Sequence, residues 1–226
     1  MMGFKMVANL PSPGRHLCGL AWDGETLWHS DGTTNRIYRI DPGDGTVLGS
    51  IPCERVRTCL SIDEEGRLWQ IAGNPKRIRV LDPLDGQMVR EIPFDDDAES
   101  VCALYVGSSS YWLGSKTTGR VEERDINTRA VLHAYQTHGS VHGIALVDRV
   151  IWYTDFTASA LVAFDLEHRT EEARYLLPGQ PTGLCWDGGR LWYCDYTNKR
   201  ITAVEVDLGS RHVREPSGWR SLRFVQ

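Results

Sequence analysis

Three cysteines and one histidine occupy the same place in an internal repeat. Cys18, Cys59, Cys102 and His142 each stand ten residues before a tryptophan, in the contexts HLCGLAW, RTCLSID, SVCALYV and SVHGIAL, and Thr182 (QPTGLCW) is the fifth member. Three thiols and an imidazole are the ligand chemistry of zinc or of another thiophilic ion such as Cu(I). An ion held with one open position would polarise a carbonyl or activate water for lyase or hydrolase chemistry. Two other readings stay open: an inert lining, since free cysteine is among the most buried residue types, and a metal-free thiol enzyme with His142 as base.

A second set lies three residues after each tryptophan: Asp31, Ala72, Ser115, Asp155 and Asp195. Aspartate at a strand end fixes a turn by accepting the backbone N–H two residues on. Beside a reactive centre, Asp31, Asp155 and Asp195 would be the nearest proton carriers or would orient His142. His16 and His138, in the segments leading into the first and fourth units, join them as acid–base candidates, and Arg57, Glu54, Glu99 and Gln180 lie in equivalent segments. His29, His133, His168 and His212 read as surface residues, and Cys53, Cys185 and Cys194 as packing.

The element that must position these residues is set by the period. Leu27-Trp28, Leu68-Trp69, Tyr111-Trp112, Ile151-Trp152 and Leu191-Trp192 are spaced by 41, 43, 40 and 40 residues, and WHSDGTTNRI, WQIAGNPKRI, WLGSKTTGRV, WYTDFTASAL and WYCDYTNKRI align without a gap. Within a unit, short β-rich runs alternate with Asp-Gly, Asp-Pro-Gly and Asn-Pro turn signals, which gives four strands per repeat. A unit of this kind cannot bury both faces of its sheet alone and must stack on its neighbours. The expected fold is all-β, a five-bladed β-propeller over residues 1–226 with blades at 17–54, 57–97, 100–137, 140–178 and 181–207. The segment 6–11 supplies the outer strand of the last blade, and 208–226 forms a tail. In that register the cysteine and aspartate sets share one face, at the mouth of the central channel, where loops from several blades converge.

The composition narrows the partners. With 226 residues, 41% apolar and a formal charge of -5, the chain has one sizeable core, and no run of Lys or Arg exceeds two residues. Nucleic acid and anionic membrane are therefore excluded as electrostatic partners. No apolar run is long enough for a signal-peptide core or a membrane span, so the expected location is cytoplasmic. Six cysteines in this length are too few for a disulfide framework. Phosphate-loop, nucleophile-elbow, C-x-x-C, EF-hand and N-glycosylation motifs are all missing from the sequence.

Units such as GLAWDGETLWHSDGTTNRIYRIDPGDGTVLGSIP and GLCWDGGRLWYCDYTNKRITAVEVD resemble the repeats of the glutaminyl-cyclase-like propellers of plant and bacterial type. They are also similar to NHL-repeat, virginiamycin B lyase and gluconolactonase-type propellers, and the count of five favours the cyclase architecture. The resemblance implies Gln or Glu just before Gly-Leu or Gly-Ile in the inner strands. This chain has Cys18, His142 and Thr182 there, which argues against cyclisation of glutaminyl peptides. The expectation is thus a propeller that takes a metal ion or small molecule at the channel mouth, with a non-catalytic ligand- or protein-binding propeller as the alternative.

Overall fold

The computed structural model describes residues 4–94 and 99–206, and within them the chain is entirely strands and turns. The first strand, β1 (Phe4–Pro11), is followed by four groups of four. Blade 1 holds β2 (Leu17–Trp22), β3 (Leu27–Asp31), β4 (Arg36–Ile40) and β5 (Val47–Pro52). Blade 2 holds β6 (Val56–Ile62), β7 (Leu68–Ala72), β8 (Arg77–Leu81) and β9 (Met88–Pro93). Blade 3 holds β10 (Val101–Val106), β11 (Ser110–Ser115), β12 (Arg120–Asp125) and β13 (Val131–Gln136). Blade 4 holds β14 (Val141–Val147), β15 (Val150–Asp155), β16 (Ala160–Asp165) and β17 (Thr170–Leu176). Blade 5 holds β18 (Pro181–Trp186), β19 (Leu191–Asp195) and β20 (Arg200–Val206), and β1 pairs with β20 as its outer strand. The expected five-bladed propeller, closed by the N-terminal strand, is the observed fold. The tail expected at 208–226, with His212, lies outside the described residues.

Burial explains why each blade reads as it does. The second strand of blade 1, LWHSD, is buried at every position, because neighbouring blades cover both its faces, whereas the outer strand VLGSIP is mostly exposed. The five repeated tryptophans are all buried between sheets. Truncating such a side chain to alanine costs on the order of 3–5 kcal/mol. In three blades the first hairpin turn is fixed to its tryptophan, for Asp23, Asp63 and Asp187 accept the indole N–H of Trp28, Trp69 and Trp192 at 2.7–2.8 Å.

Pairing shows which inner-strand residues are equivalent. Trp28, Trp69, Trp112, Trp152 and Trp192 face Ala21, Ser61, Tyr105, Ala145 and Cys185 across the first hairpin. The hairpin of blade 2, through Asp63–Arg67, is therefore one residue longer than the others. Cys59 is consequently not level with Cys18, Cys102, His142 and Thr182. Thr58 takes that level, and Cys59 sits one step deeper, beside Gly19, Ala103, Gly143 and Gly183.

At the deeper level the inner strands touch. A side chain on Gly19 would run into the backbone of Cys59 and Leu60, one on Gly143 into Thr182 and Leu184, and one on Gly183 into Gly19 and Leu20. Hydroxyls join the blades there as well: Thr154 donates to Thr182 O at 2.6 Å and Thr182 to Leu17 O at 3.0 Å.

Candidate functional site

All five blades build the mouth with one hydrogen bond. The residue four after each tryptophan donates its backbone N–H to the carbonyl of the loop leading into the inner strand. The pairs are Gly32 to His16, Gly73 to Arg55, Lys116 to Ser100, Phe156 to Ser140 and Tyr196 to Gln180, at 2.8–3.3 Å. The bond brings the lead-in loops and the second-to-third-strand turns onto one face, as the register requires.

The cysteine ring does not form a ligand set. Among the described residues no group of three or more His, Cys, Asp or Glu side chains is placed to hold a metal ion. Cys18, Cys59 and His142 are already engaged in their own blade or with a neighbour. Cys18 Sγ donates to His16 O at 3.3 Å and Arg57 O at 3.5 Å, and Cys59 Sγ, from its deeper level, donates to Leu104 O of blade 3 at 3.5 Å. Nδ1 of His142 donates to Ser140 O at 3.0 Å while the ring stacks on Phe156 at 4.7 Å. The residues present do not gather as a tetrahedral site, because Cys59 stands one level deeper than Cys18, Cys102 and His142 and the donors are not grouped around one point.

Electrostatics agree. Burial, and then the Asp31 carboxylate, hold the Cys18 thiol far above its ordinary range, and burial pushes Cys59 up to about 11. Cys102 is also raised by burial, although Lys76, Lys116 and Arg57 pull against it. His142 is lowered, chiefly by burial, with Lys116 and Lys76 adding to the shift, so the ring is neutral near pH 7.

The aspartates hold turns. Asp31 is fully buried and accepts the N–H of His16 at 2.7 Å, of Thr33 at 2.9 Å and of Thr34 at 2.8 Å. Asp155 accepts from Ser140 and Ala158 and pairs with Arg174, and Asp195 takes the backbone and side-chain N–H groups of Asn198. Glycines make room for them: a side chain at Gly14, Gly139 or Gly179 would collide with Asp31, Asp155 or Asp195. Each carboxylate is held by two or three donors. Of the histidine candidates, His138 is exposed on its loop, while His16 lies at the mouth with its ring edge against Tyr196 at 5.4 Å.

His29, read from sequence as a surface residue, is fully buried. Its Nδ1 donates to Gly19 O at 3.0 Å, its Nε2 meets Ser12 Oγ at 3.3 Å, and burial lowers its pKa to about 4. Cys53 packs in the cluster shared by blades 1 and 2, with Val56 and Leu60.

What the mouth does assemble lies mostly one residue beyond the aspartate set. On blades 4, 5 and 1, His142, Phe156, Tyr196 and His16 form a continuous aromatic arc, with ring contacts of 4.7, 6.1 and 5.4 Å, and Lys199 lies over Tyr196 at 3.8 Å. On blades 2 and 3 stand Arg57, Lys76 and Lys116. Lys76 is buried, its Nζ donating to Glu99 O at 2.8 Å and Val101 O at 3.1 Å, and Arg57 pairs with Glu99 at 3.1 Å. Burial lowers the pKa of Lys76, with Lys116 and Arg57 adding to the shift and Cys102 and Glu99 opposing it. Arg57 and Lys116 are exposed, whereas His142, Phe156 and Tyr196 are half-buried, so both arcs face solvent at the mouth. Counting four residues on from the tryptophans would have found Lys116, Phe156 and Tyr196 in the sequence. Nothing local marks Lys76, whose burial comes from carbonyls of the next blade.

No family model matches the chain, and no curated protein matches it in sequence. Among solved structures it is similar to a glutaminyl cyclase from Myxococcus xanthus, with a TM-score of 0.70 at 13% identity over 90% of this chain and 96% of that one. Virginiamycin B lyase from Staphylococcus aureus aligns with a TM-score of 0.52 at 17% identity, covering 90% of this chain and 74% of the lyase. A streptogramin B lyase aligns with a TM-score of 0.53 at 17% identity, covering 94% and 75%. At these identities the likeness shows the propeller fold and no more.

Proposed function

We propose that the channel mouth is a binding site for a small aromatic anion, an aryl ring bearing a phosphate or carboxylate. One observation carries the reading: the arc of His142, Phe156, Tyr196 and His16 shares the mouth with the exposed cations Arg57 and Lys116, and Lys116 together with buried Lys76 lies close enough to act on His142. Stacking against rings favours a planar group, and clustered cations favour a charged one. Glu99 offsets one of the three positive charges, which leaves the arc net cationic. Neutral His142 keeps Nε2 as an acceptor, and the thiols below stay protonated and apolar toward the ligand.

Similar folds named as a cyclase and as lyases support a site of small-molecule size on this scaffold. Metal-assisted lyase or hydrolase chemistry with zinc or Cu(I) would need Cys18, Cys59 and His142 to leave their present partners and gather with Cys102. The anion reading needs no such movement. Calorimetric titration with phenyl phosphate tests it: binding is expected to weaken about tenfold in Lys116→Gln and by a similar factor in Tyr196→Ala. It is also expected to fall as salt rises. Equal affinity in the parent protein and both variants would overturn the reading.

A further inference from the structure

Blade 2 carries a pocket that the mouth does not use. It has a volume of about 290 Å³ and lies between the lead-in residues Glu54 and Arg55, the turn from Gly73 to Pro75, and the strands β8 and β9, which bring Arg77, Arg79 and Glu91 to it. No aromatic side chain lines it, so the ligand of the mouth has nothing to stack on there.

The pocket has a cause in the repeat. Ten residues after the tryptophans stand Tyr38, Arg79, Glu122, Val162 and Thr202, so blade 2 alone has an arginine at that position. Arg79 pairs with Glu91 across β8 and β9, and Arg77, two residues before it, shares its face of the sheet. Arg79 Nη1 donates to Glu54 O at 2.7 Å, which ties the strand to the lead-in loop. The loop is tied to the turn in its place, for the N–H of Gly73 donates to Arg55 O at 2.9 Å. Gly73 has a φ of +88°, and a side chain there would stand 3.0 Å from Pro75 O and 3.5 Å from Nη2 of Arg79, so the glycine leaves the guanidinium its room.

The charges do not close on themselves. Nε of Arg77 and Nε of Arg79 both lie 3.7 Å from the same oxygen, Oε1 of Glu91, too far for a hydrogen bond to either. Nε of Arg79 is buried without a hydrogen-bond partner. Among the described residues no acceptor bonds the guanidinium groups of Arg55 and Arg77. Three guanidinium groups therefore face two carboxylates, those of Glu54 and Glu91, and two of the three keep their forks open.

We infer that this pocket binds a short aliphatic dicarboxylate, one carboxylate on the fork of Arg77 and the other on that of Arg55, with Arg79 as the fixed charge behind them. A carboxylate matches the planar guanidinium fork with two parallel bonds, and two open forks call for two carboxylates. The volume is at the lower edge of ligand pockets, roughly 300 Å³ upward, which suits a ligand of about four to six carbons.

The test is calorimetric titration of the full chain with succinate and with butyrate, in the parent protein and in Arg77→Gln, Glu91→Gln and Lys116→Gln. Succinate is expected at one site about tenfold more tightly than butyrate, because its second carboxylate adds a charge-assisted pair. Arg77→Gln brings succinate down to the affinity of butyrate. Glu91→Gln tightens succinate several-fold, since the carboxylate that competes for Arg77 is gone. Arg77 and Glu91 are both partly exposed, and urea midpoints close to that of the parent show that the variants fold. Lys116→Gln, at the channel mouth, leaves succinate binding unchanged, so failure here and failure of the mouth reading are distinguishable. No succinate binding by the parent protein, butyrate bound as tightly, or succinate affinity unmoved in Arg77→Gln would each overturn the inference.

Discussion

Blades 4, 5 and 1 end their second strand in a buried aspartate, while blades 2 and 3 end it in Ala72 and Ser115. In blades 1 and 4 the carboxylate ties the lead-in loop to the following turn, in blade 5 it holds that turn through Asn198, and in all three a glycine opposite makes space for it. In the second arc no carboxylate stands there, and buried Lys76 instead ties the turn of blade 2 to the lead-in carbonyls of blade 3. Ser115 Oγ accepts from Thr117 and Thr118 at 3.3 and 3.1 Å, and Ala72 offers no acceptor at all. The cations of the mouth and the arginine pocket of blade 2 both belong to this second arc. The mouth is thus divided: three blades bring aromatic rings over aspartate-held turns, and two bring cations over turns without that carboxylate.

The contrast is broken most directly by deleting an aspartate. Asp31→Ala removes a buried carboxylate that accepts three backbone N–H groups, and a loss of about 2–3 kcal/mol is expected in urea unfolding. Ser115→Ala should cost less than about 1 kcal/mol by the same measurement, its two bonds being long and exposed. Equal losses would mean that the two arcs are held alike.

Acid probes the first arc at its one buried imidazole. His29 has a folded pKa lowered to about 4, so the unfolded chain takes up a proton below its ordinary value near 6.5 while the folded one does not. Stability is therefore expected to fall as pH drops from about 6.5 to about 4, by about 3 kcal/mol in all, and to change no further through this group below that. His29→Gln should flatten that slope in denaturation followed at pH 7 and pH 4.5. An unchanged slope would place the acid sensitivity elsewhere.

A smaller effect concerns the thiols. All six cysteines are free and buried, and Cys53 and Cys59 are both pushed up to about 11. Iodoacetamide at pH 7.5 should label none of them in the native protein on the timescale that labels all six in urea, as mass spectrometry would show. Rapid native labelling of Cys102, the one thiol facing Lys76, Lys116 and Arg57, would revive the thiol-enzyme reading.

How much of this was legible depends on what each residue answers to. The tryptophans repeat because every blade has the same gap to fill, so their period gave the fold, the blade count and the closing strand. Cys59 was misplaced because counting back from Trp69 crosses a hairpin with one extra residue, which the tryptophan spacing alone does not locate. His29 lies in a strand covered on both faces, so no alternation marks it as buried. Arg79 stands out in the sequence against Tyr38, Glu122, Val162 and Thr202, but the pocket it shares with Arg55 and Arg77 is settled only by packing. Lys76 is legible as a lysine and not as a buried one.

The most direct measurement is a crystal structure of the protein with 4-bromophenyl phosphate, the bromine located by anomalous scattering. The account predicts the bromophenyl ring against Phe156 and Tyr196 and the phosphate within hydrogen-bonding reach of Lys116 and Arg57. A ligand bound away from the mouth, or a phosphate turned from those two cations, would contradict it.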